Sequence, residues 1–221
     1  MRYLFFHTNR KGGRFGPTWD FVEKTQARYG WERIDTDLFD KKGYSKAINR
    51  IWDKGDDLLW LEEDKIPTVE IIDALAACEE SDVCSQLYTY SRYDMDRNCW
   101  LPPVLGGVYK EFTNHLGYVD KRPLHEGEVW GEWLDLGLLK VSKAAQKHDL
   151  AGNIDFGNDH MRLGGAFYDA GIKIHAHRPV IQHNHVKAIW GYLGDYSVPG
   201  NPEEYLDAEL ENVRKNYGAP G

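Results

Sequence analysis

Three times in its first ninety residues the chain passes from a short apolar run to a segment with helical spacing. This alternation constrains the fold more than any other feature. RYLFFHT (2–8) is apolar and ends in polar residues, as a buried strand does. NRKGGRFGPT (9–18) is a Gly-rich basic loop, and the next segment, WDFVEKTQARYG, has Thr18 placed to cap it and Gly30 to stop it. WERIDTD (31–37) reads as a second strand. SKAINRIWDKG (45–55), apolar at 47, 48, 51 and 52, reads as an amphipathic helix. DDLLWLEED (56–64) is a third strand. PTVEIIDALAACEES (67–81) is a helix with Pro at its start, and DVCSQLYTYSR (82–92) is a fourth strand. Strand–helix–strand units predict an α/β fold with an open, mostly parallel sheet and helices on both faces.

The second half is less regular. Residues 93–135 carry PP at 102–103 and GG at 106–107. LLKVSKAAQKH (138–148) runs from a strand into a helix. GNDHMRLGGAFYDAG (157–171) reads as a helix opened by Asp159. IKIHAH, Pro179 and VIQHNH supply one or two short strands, and NPEEYLDAELENVRKNYG a tail helix. At 221 residues and 42% hydrophobic content the chain can build one sizeable core. The expected organisation is a single compact domain: a nucleotide-binding half over about 1–92, an acceptor and catalytic half over about 93–190, and a tail helix over 191–221.

Composition excludes some partners. No run approaches the ~18 apolar residues of a membrane-spanning helix, and the apolar part of MRYLFFHTNRKGG is too short for a signal peptide. The net charge of −8 weighs against a broad duplex nucleic-acid surface. Cys78, Cys84 and Cys99 are odd in number and lack CxxC spacing; they suggest a reducing, cytoplasmic setting and argue against a structural zinc knuckle.

In open parallel sheets, ligands bind outside the carboxyl ends of the strands. The first strand ends at His7, Thr8, Asn9 and Arg10, the second at Asp35, Thr36 and Asp37, and the third at Glu62, Glu63 and Asp64. Thr8, Arg10 and Asp35 are thus candidates to face a nucleotide. In an extended segment Glu62 and Asp64 share a face and Glu63 points away. Their hard oxygens suit Mg²⁺ or Mn²⁺. His175 with His177, and His183 with His185, form two HxH pairs able to ligate a metal. Asp159, at a helix opening, is a candidate base towards a hydroxyl or a plain helix cap. Lys46 and Arg50, four apart on one helix face, either approach a diphosphate or are solvated. Trp130 and Trp133 are candidate stacking platforms for an acceptor.

Taken in order, these pieces resemble the GT-A-fold nucleotide-sugar glycosyltransferases, particularly the family-2-like group. GYSKAINRIWDKGDDLLWLEEDKIPTVEIIDAL is similar to that group's block of helix, strand and acid-x-acid motif, with Glu62 and Asp64 in the acid positions. LLKVSKAA (138–145), GNDHMRLGGAFYDAGIKIHAH and RPVIQHNH resemble its later segments, with Asn158 in place of the usual acid. The resemblance implies that Asp64 and His183 or His185 hold Mn²⁺ or Mg²⁺. It implies that Asp159 is the base for an inverting transfer. It also implies that Thr8, Arg10 and Asp35 border the nucleotide, while the longer Glu62 contacts ribose or metal. The expected partners are a nucleotide-diphosphate sugar and an acceptor that is a glycan, protein, lipid or modified nucleobase. Rival expectations are a nucleotidyltransferase, a metal-dependent hydrolase built on the histidines, and a non-catalytic nucleotide-sugar-binding relative.

Overall fold

The computed structural model describes residues 1–7, 16–35, 43–52, 54–90, 93–94, 99–100, 104–147 and 159–183. Its first half contains β1 (Arg2–His7), α1 (Gly16–Tyr29), β2 (Glu32–Asp35), α2 (Gly43–Ile51), β3 (Leu58–Glu62), β4 (Lys65–Ile66), α3 (Val69–Ala76) and β5 (Val83–Tyr90). Short strands follow: β6 (Tyr93–Asp94), β7 (Cys99–Trp100) and β8 (Val104–Gly106). Then come β9 (Val108–Thr113), β10 (Val119–Pro123), β11 (Trp130–Gly131), β12 (Trp133–Leu134), β13 (Leu138–Val141), a 3₁₀ turn (Ala145–Lys147), α4 (Asp159–Asp169) and β14 (Ile174–His183). The tail helix expected over 191–221 lies outside the described residues.

The main sheet runs β11-β14-β5-β13-β3-β1-β2, with β4 added on β14 and β8 on β5. β2, β1 and β3 are parallel neighbours, and β14 is parallel to β5. β13 is antiparallel to both β3 and β5. Strands β1, β2, β3, β5 and β14 therefore all end on one side, the carboxyl edge, and start on the other, the amino edge. The predicted α/β sheet is present, but β13 makes it mixed. LLKV is buried at all four positions, and such a run carries no sign of its direction. β13 and β14 interleave with β5 and β3, so the two predicted halves share one sheet.

Alternation along the strands sends side chains to two cores. Leu4, Phe6, Leu58 and Trp60 pack with Ile48 and Ile51 of α2 and with Leu163 and Phe167 of α4. Phe5, Leu59 and Leu61 pack with Trp19 and Val22 of α1 and with Ile72 and Leu75 of α3. Each fully buried side chain of this size contributes roughly 1.5–3 kcal/mol. Helices thus cover both faces.

Local details depart from the sequence reading. α1 begins at Gly16, so Thr18 lies inside it and its buried hydroxyl donates to the Lys65 carbonyl at 2.6 Å instead of capping. Gly30 does end α1, in the left-handed region at φ 63°, with its N–H on the Gln26 carbonyl. α3 starts at Val69, with Thr68 as its cap. LLKVSKAAQKH holds only a 3₁₀ turn after β13. The irregular stretch contains a second, antiparallel sheet, β10-β9-β12. Two of the three cysteines, Cys78 and Cys84, are joined as a disulfide. Among the described residues, no helix is long and apolar enough to cross a membrane.

Candidate functional site

The carboxyl edge gathers the polar strand ends. His7 pairs in register with Asp35, and Phe6 with Glu62, so the tips of β2, β1 and β3 stand side by side. Asp35 is exposed at its tip. Thr8 and Arg10, which continue β1, lie outside the described residues. Glu62 extends the series Leu58, Trp60 that faces α2 and α4.

β3 ends at Glu62, and Glu63 and Asp64 form a turn rather than a continuing strand. Strand alternation is therefore not what brings Glu62 and Asp64 together. Lys65 does. Its ammonium lies 2.7 Å from Asp64 Oδ1 and 3.5 Å from Glu62 Oε2. Lys65 is only 2% exposed, whereas the Glu62 and Asp64 side chains keep 13% and 18% of their surface in water. A buried ammonium is tolerated when it is paired and hydrogen-bonded, and both conditions hold. The Nζ also sits 4.5 Å from the centroid of the Tyr88 ring. Burial pushes the Tyr88 phenol well above its usual value, and Asp135, Tyr109, Glu62 and Asp64 push the same way. Tyr88 thus stays neutral and donates to the Leu136 carbonyl at 3.2 Å. Gly137 makes room for this arrangement, since a Cβ there would lie 2.6 Å from Lys65 Cε and 2.9 Å from Tyr88 Cε1. Lys65 stands in plain view in LEEDKIP; its role as counter-charge was the functional feature missed in the sequence.

The end of β14 reaches the same place. β4 pairs antiparallel with it, setting His183 opposite Lys65 and Gln182 opposite Ile66. His183 is thereby brought beside the Glu62–Asp64 turn by backbone register. His185 lies outside the described residues.

Helices α2 and α4 complete the edge. α2 runs from the end of β2 towards the start of β3, so its first turns lie nearest the carboxyl edge. Lys46 and Arg50 are both exposed, but Arg50 is about 6 Å further along the axis, away from the edge. α4 packs Phe167 against Trp52, just past α2, and Gly164 against Leu134, ahead of β13. The helix therefore runs towards the amino edge, and its opening residue, Asp159, is at the carboxyl-edge end. Asn158 lies outside the described residues.

Two other candidates fall elsewhere. The Trp133 ring stacks on Tyr168 at 4.9 Å and has Lys121 Nζ 3.1 Å from its centroid, so its faces are occupied by the protein itself. Glu111 fixes the pair by accepting from Trp133 Nε1 and from the Tyr168 hydroxyl, each at 2.9 Å. Trp130 packs on His175, 4.9 Å between centroids, at the amino edge. The Trp133 ring is thus covered by the protein itself, whereas Trp130 is exposed but stands at the edge opposite the acids.

His175 and His177 also sit at the amino edge, close to Cys78 and Cys84, and not with the acids. His175 and His177 therefore stand apart from His183. No protein-family model matches the chain, and no curated protein matches it either. Among solved structures it is similar to A197 from STIV, at 15% identity and a TM-score of 0.44, over 80% of this chain and 82% of that one.

Proposed function

We propose that the protein transfers a sugar from a nucleoside-diphosphate sugar to an acceptor hydroxyl, with inversion at the sugar carbon, on a GT-A-type fold. The observation that carries this reading is the pairing of β4 with the end of β14, which sets His183 beside the Glu62–Asp64 turn. Asp35, Lys46 and the opening of α4 belong to the same edge, where open parallel sheets bind ligands.

The donor set fits Mn²⁺ or Mg²⁺. Glu62, Glu63 and Asp64 carry three negative charges and Lys65 one positive charge, which leaves an excess of two. Carboxylate oxygens that keep some contact with water suit a hard divalent cation. Asp64, sharing its carboxylate with Lys65, and His183 or His185 would hold it. When bound, such an ion neutralises the diphosphate and the departing nucleoside diphosphate.

The chain's own residues have distinct tasks. Asp35 accepts from the nucleotide's hydroxyls, and Thr8 and Arg10, which follow β1 in sequence, border it. Glu62 contacts ribose or metal. Lys46, nearer the edge than Arg50, adds positive charge towards the diphosphate, with Arg50 in a supporting position. Asp159, the opening residue of α4, takes the proton of the attacking acceptor hydroxyl. The C–O bond to the nucleoside diphosphate breaks as the new glycosidic bond forms.

The test is incubation with Mn²⁺ and a panel of nucleotide sugars, with products separated by chromatography. Slow release of nucleoside diphosphate is expected; release of pyrophosphate in a parallel incubation with a nucleoside triphosphate and a sugar phosphate would select a nucleotidyltransferase instead. Asp159→Asn should keep donor binding and lose transfer. Normal transfer by that variant would mean the base is misassigned. The Lys65 ammonium favours a second reading, a nucleotide-sugar-binding relative whose acids are already partly offset from within. Donor binding without turnover on every sugar of the panel would select that reading.

A further inference from the structure

Cys78, Cys84, His175 and His177 come from three separate elements and meet at the amino edge, on the face covered by α1 and α3. Cys78 follows the end of α3, where its N–H bonds the Leu75 carbonyl. Cys84 is the second residue of β5, and His175 is its register partner on β14. His177 follows on the same face. One ligand atom from each of the four lies within 4.8 Å of the others. Both cysteines are buried and both histidines half-buried. The acid turn is at the opposite edge of the sheet, so this cluster is separate from the proposed sugar-transfer site and independent of that reading.

We propose that, with its cysteines reduced, the protein binds a borderline-soft divalent cation of the Zn²⁺ type through Cys78, Cys84, His175 and His177. Two thiolates and two imidazoles are a complete tetrahedral zinc set, neutral overall with the ion bound. Bonds of about 2.3 Å to sulfur and 2.0 Å to nitrogen require ligand atoms about 3.3–3.8 Å apart. Cys78 Sγ and His175 Nδ1 are already 3.5 Å apart. His177 Nε2 is buried without a hydrogen-bond partner among the described residues, so this nitrogen has its lone pair or proton to give to a ligand. Lys140, whose ammonium donates to the Cys78 carbonyl, supplies a positive charge that favours the thiolates. All four ligands are protein side chains, so the site is structural and ties the end of α3 to β5 and β14.

The Cys78–Cys84 disulfide is the oxidised form of the same ligand set. Opening it takes two electrons and two protons. A cellular dithiol delivers them and leaves as its own disulfide; a water-soluble phosphine does so by becoming its oxide, with oxygen taken from water. The sulfurs then part from the roughly 2 Å of a disulfide to a tetrahedral edge, about 1.7 Å further. Cation binding releases the two thiol protons to solvent. CxxC spacing is unnecessary because the sheet, not the local chain, assembles the ligands.

The test is Co²⁺ titration of the full chain, reduced with a phosphine and then freed of it. One tetrahedral cobalt per chain is expected, with its intense visible bands and thiolate-to-cobalt charge transfer, and with displacement by Zn²⁺. The oxidised protein should show neither. His177→Gln should weaken cobalt binding by at least about a hundredfold, since partners one layer further out are already worth 10–100-fold. Cys99→Ser and Asp64→Asn should leave the spectrum unchanged. The proposal is overturned if reduced wild type with native far-UV circular dichroism binds no cobalt. Absence of tetrahedral, thiolate-to-cobalt bands from the reduced protein, or equal bands of that kind from the oxidised protein, overturn it as well. None of these outcomes depends on a variant folding.

Discussion

Lys65→Met removes the ammonium between Asp64 and Glu62 while keeping an apolar stem of similar length. Breaking a fully buried ion pair by deleting one partner costs about 3–5 kcal/mol. Here the two acids retain 13% and 18% of their exposure, so water screens part of the uncompensated charge. The expected loss at pH 7 is therefore about 2–4 kcal/mol, below that range's upper end. For a chain of this size each kcal/mol moves the midpoint by roughly 2–4 °C, so a 3 kcal/mol loss lowers Tm by roughly 6–12 °C. The pH dependence gives a second check. In acid, protonated carboxyls need no counter-charge. The gap between wild type and variant should narrow as pH falls from 7 to 4. Urea unfolding followed by circular dichroism measures both. A stability difference below about 0.5 kcal/mol at pH 7, the range of an ordinary surface change, would refute the assigned role. So would a gap that widens towards pH 4.

Other changes test the packing around the site. Gly137→Ala places a methyl against Lys65 and Tyr88 and should cost roughly 1–3 kcal/mol in denaturant unfolding, with some relief because the lysine end can shift. Gly164→Ala meets the Leu134 backbone at 2.6 Å, which cannot yield, so α4 must move off β12; a loss of about 2 kcal/mol or more should appear in the same assay. Burial, and then its hydrogen bond to Asp73, raise the Tyr29 phenol to about 12. The native state thus holds that proton above pH 10, where the unfolded chain releases it. Stability should fall between pH 10 and 12, and Tyr29→Phe should flatten that fall in alkaline unfolding curves.

The α/β layering was legible because each of the first strands is a short apolar run and each helix shows one apolar face. Phe6 and Trp60, or Ile48 and Ile51, land where their spacing predicts. The direction of β13 was not legible, since LLKV reads alike both ways. The second sheet was hidden because β12 is two residues long and β9 and β10 are mostly solvated. At the site, the acids were visible as types, but their convergence depends on a turn and on Lys65. The separation of His175 and His177 from His183 follows from the length of β14, which carries one HxH pair at the amino edge and ends at the carboxyl edge. The meeting of Cys78 with His175 spans 97 residues of sequence and arises from sheet pairing alone.

The central claim is that the carboxyl edge binds a nucleoside-diphosphate sugar with a divalent ion. Isothermal titration of nucleotide sugars into the full chain, with Mn²⁺ and with a chelator, tests it most directly. The account predicts binding that requires Mn²⁺, is lost in Asp64→Asn and is retained in His177→Gln. Absence of binding by any nucleotide with Mn²⁺ present, or binding unaffected by Asp64→Asn, would contradict it.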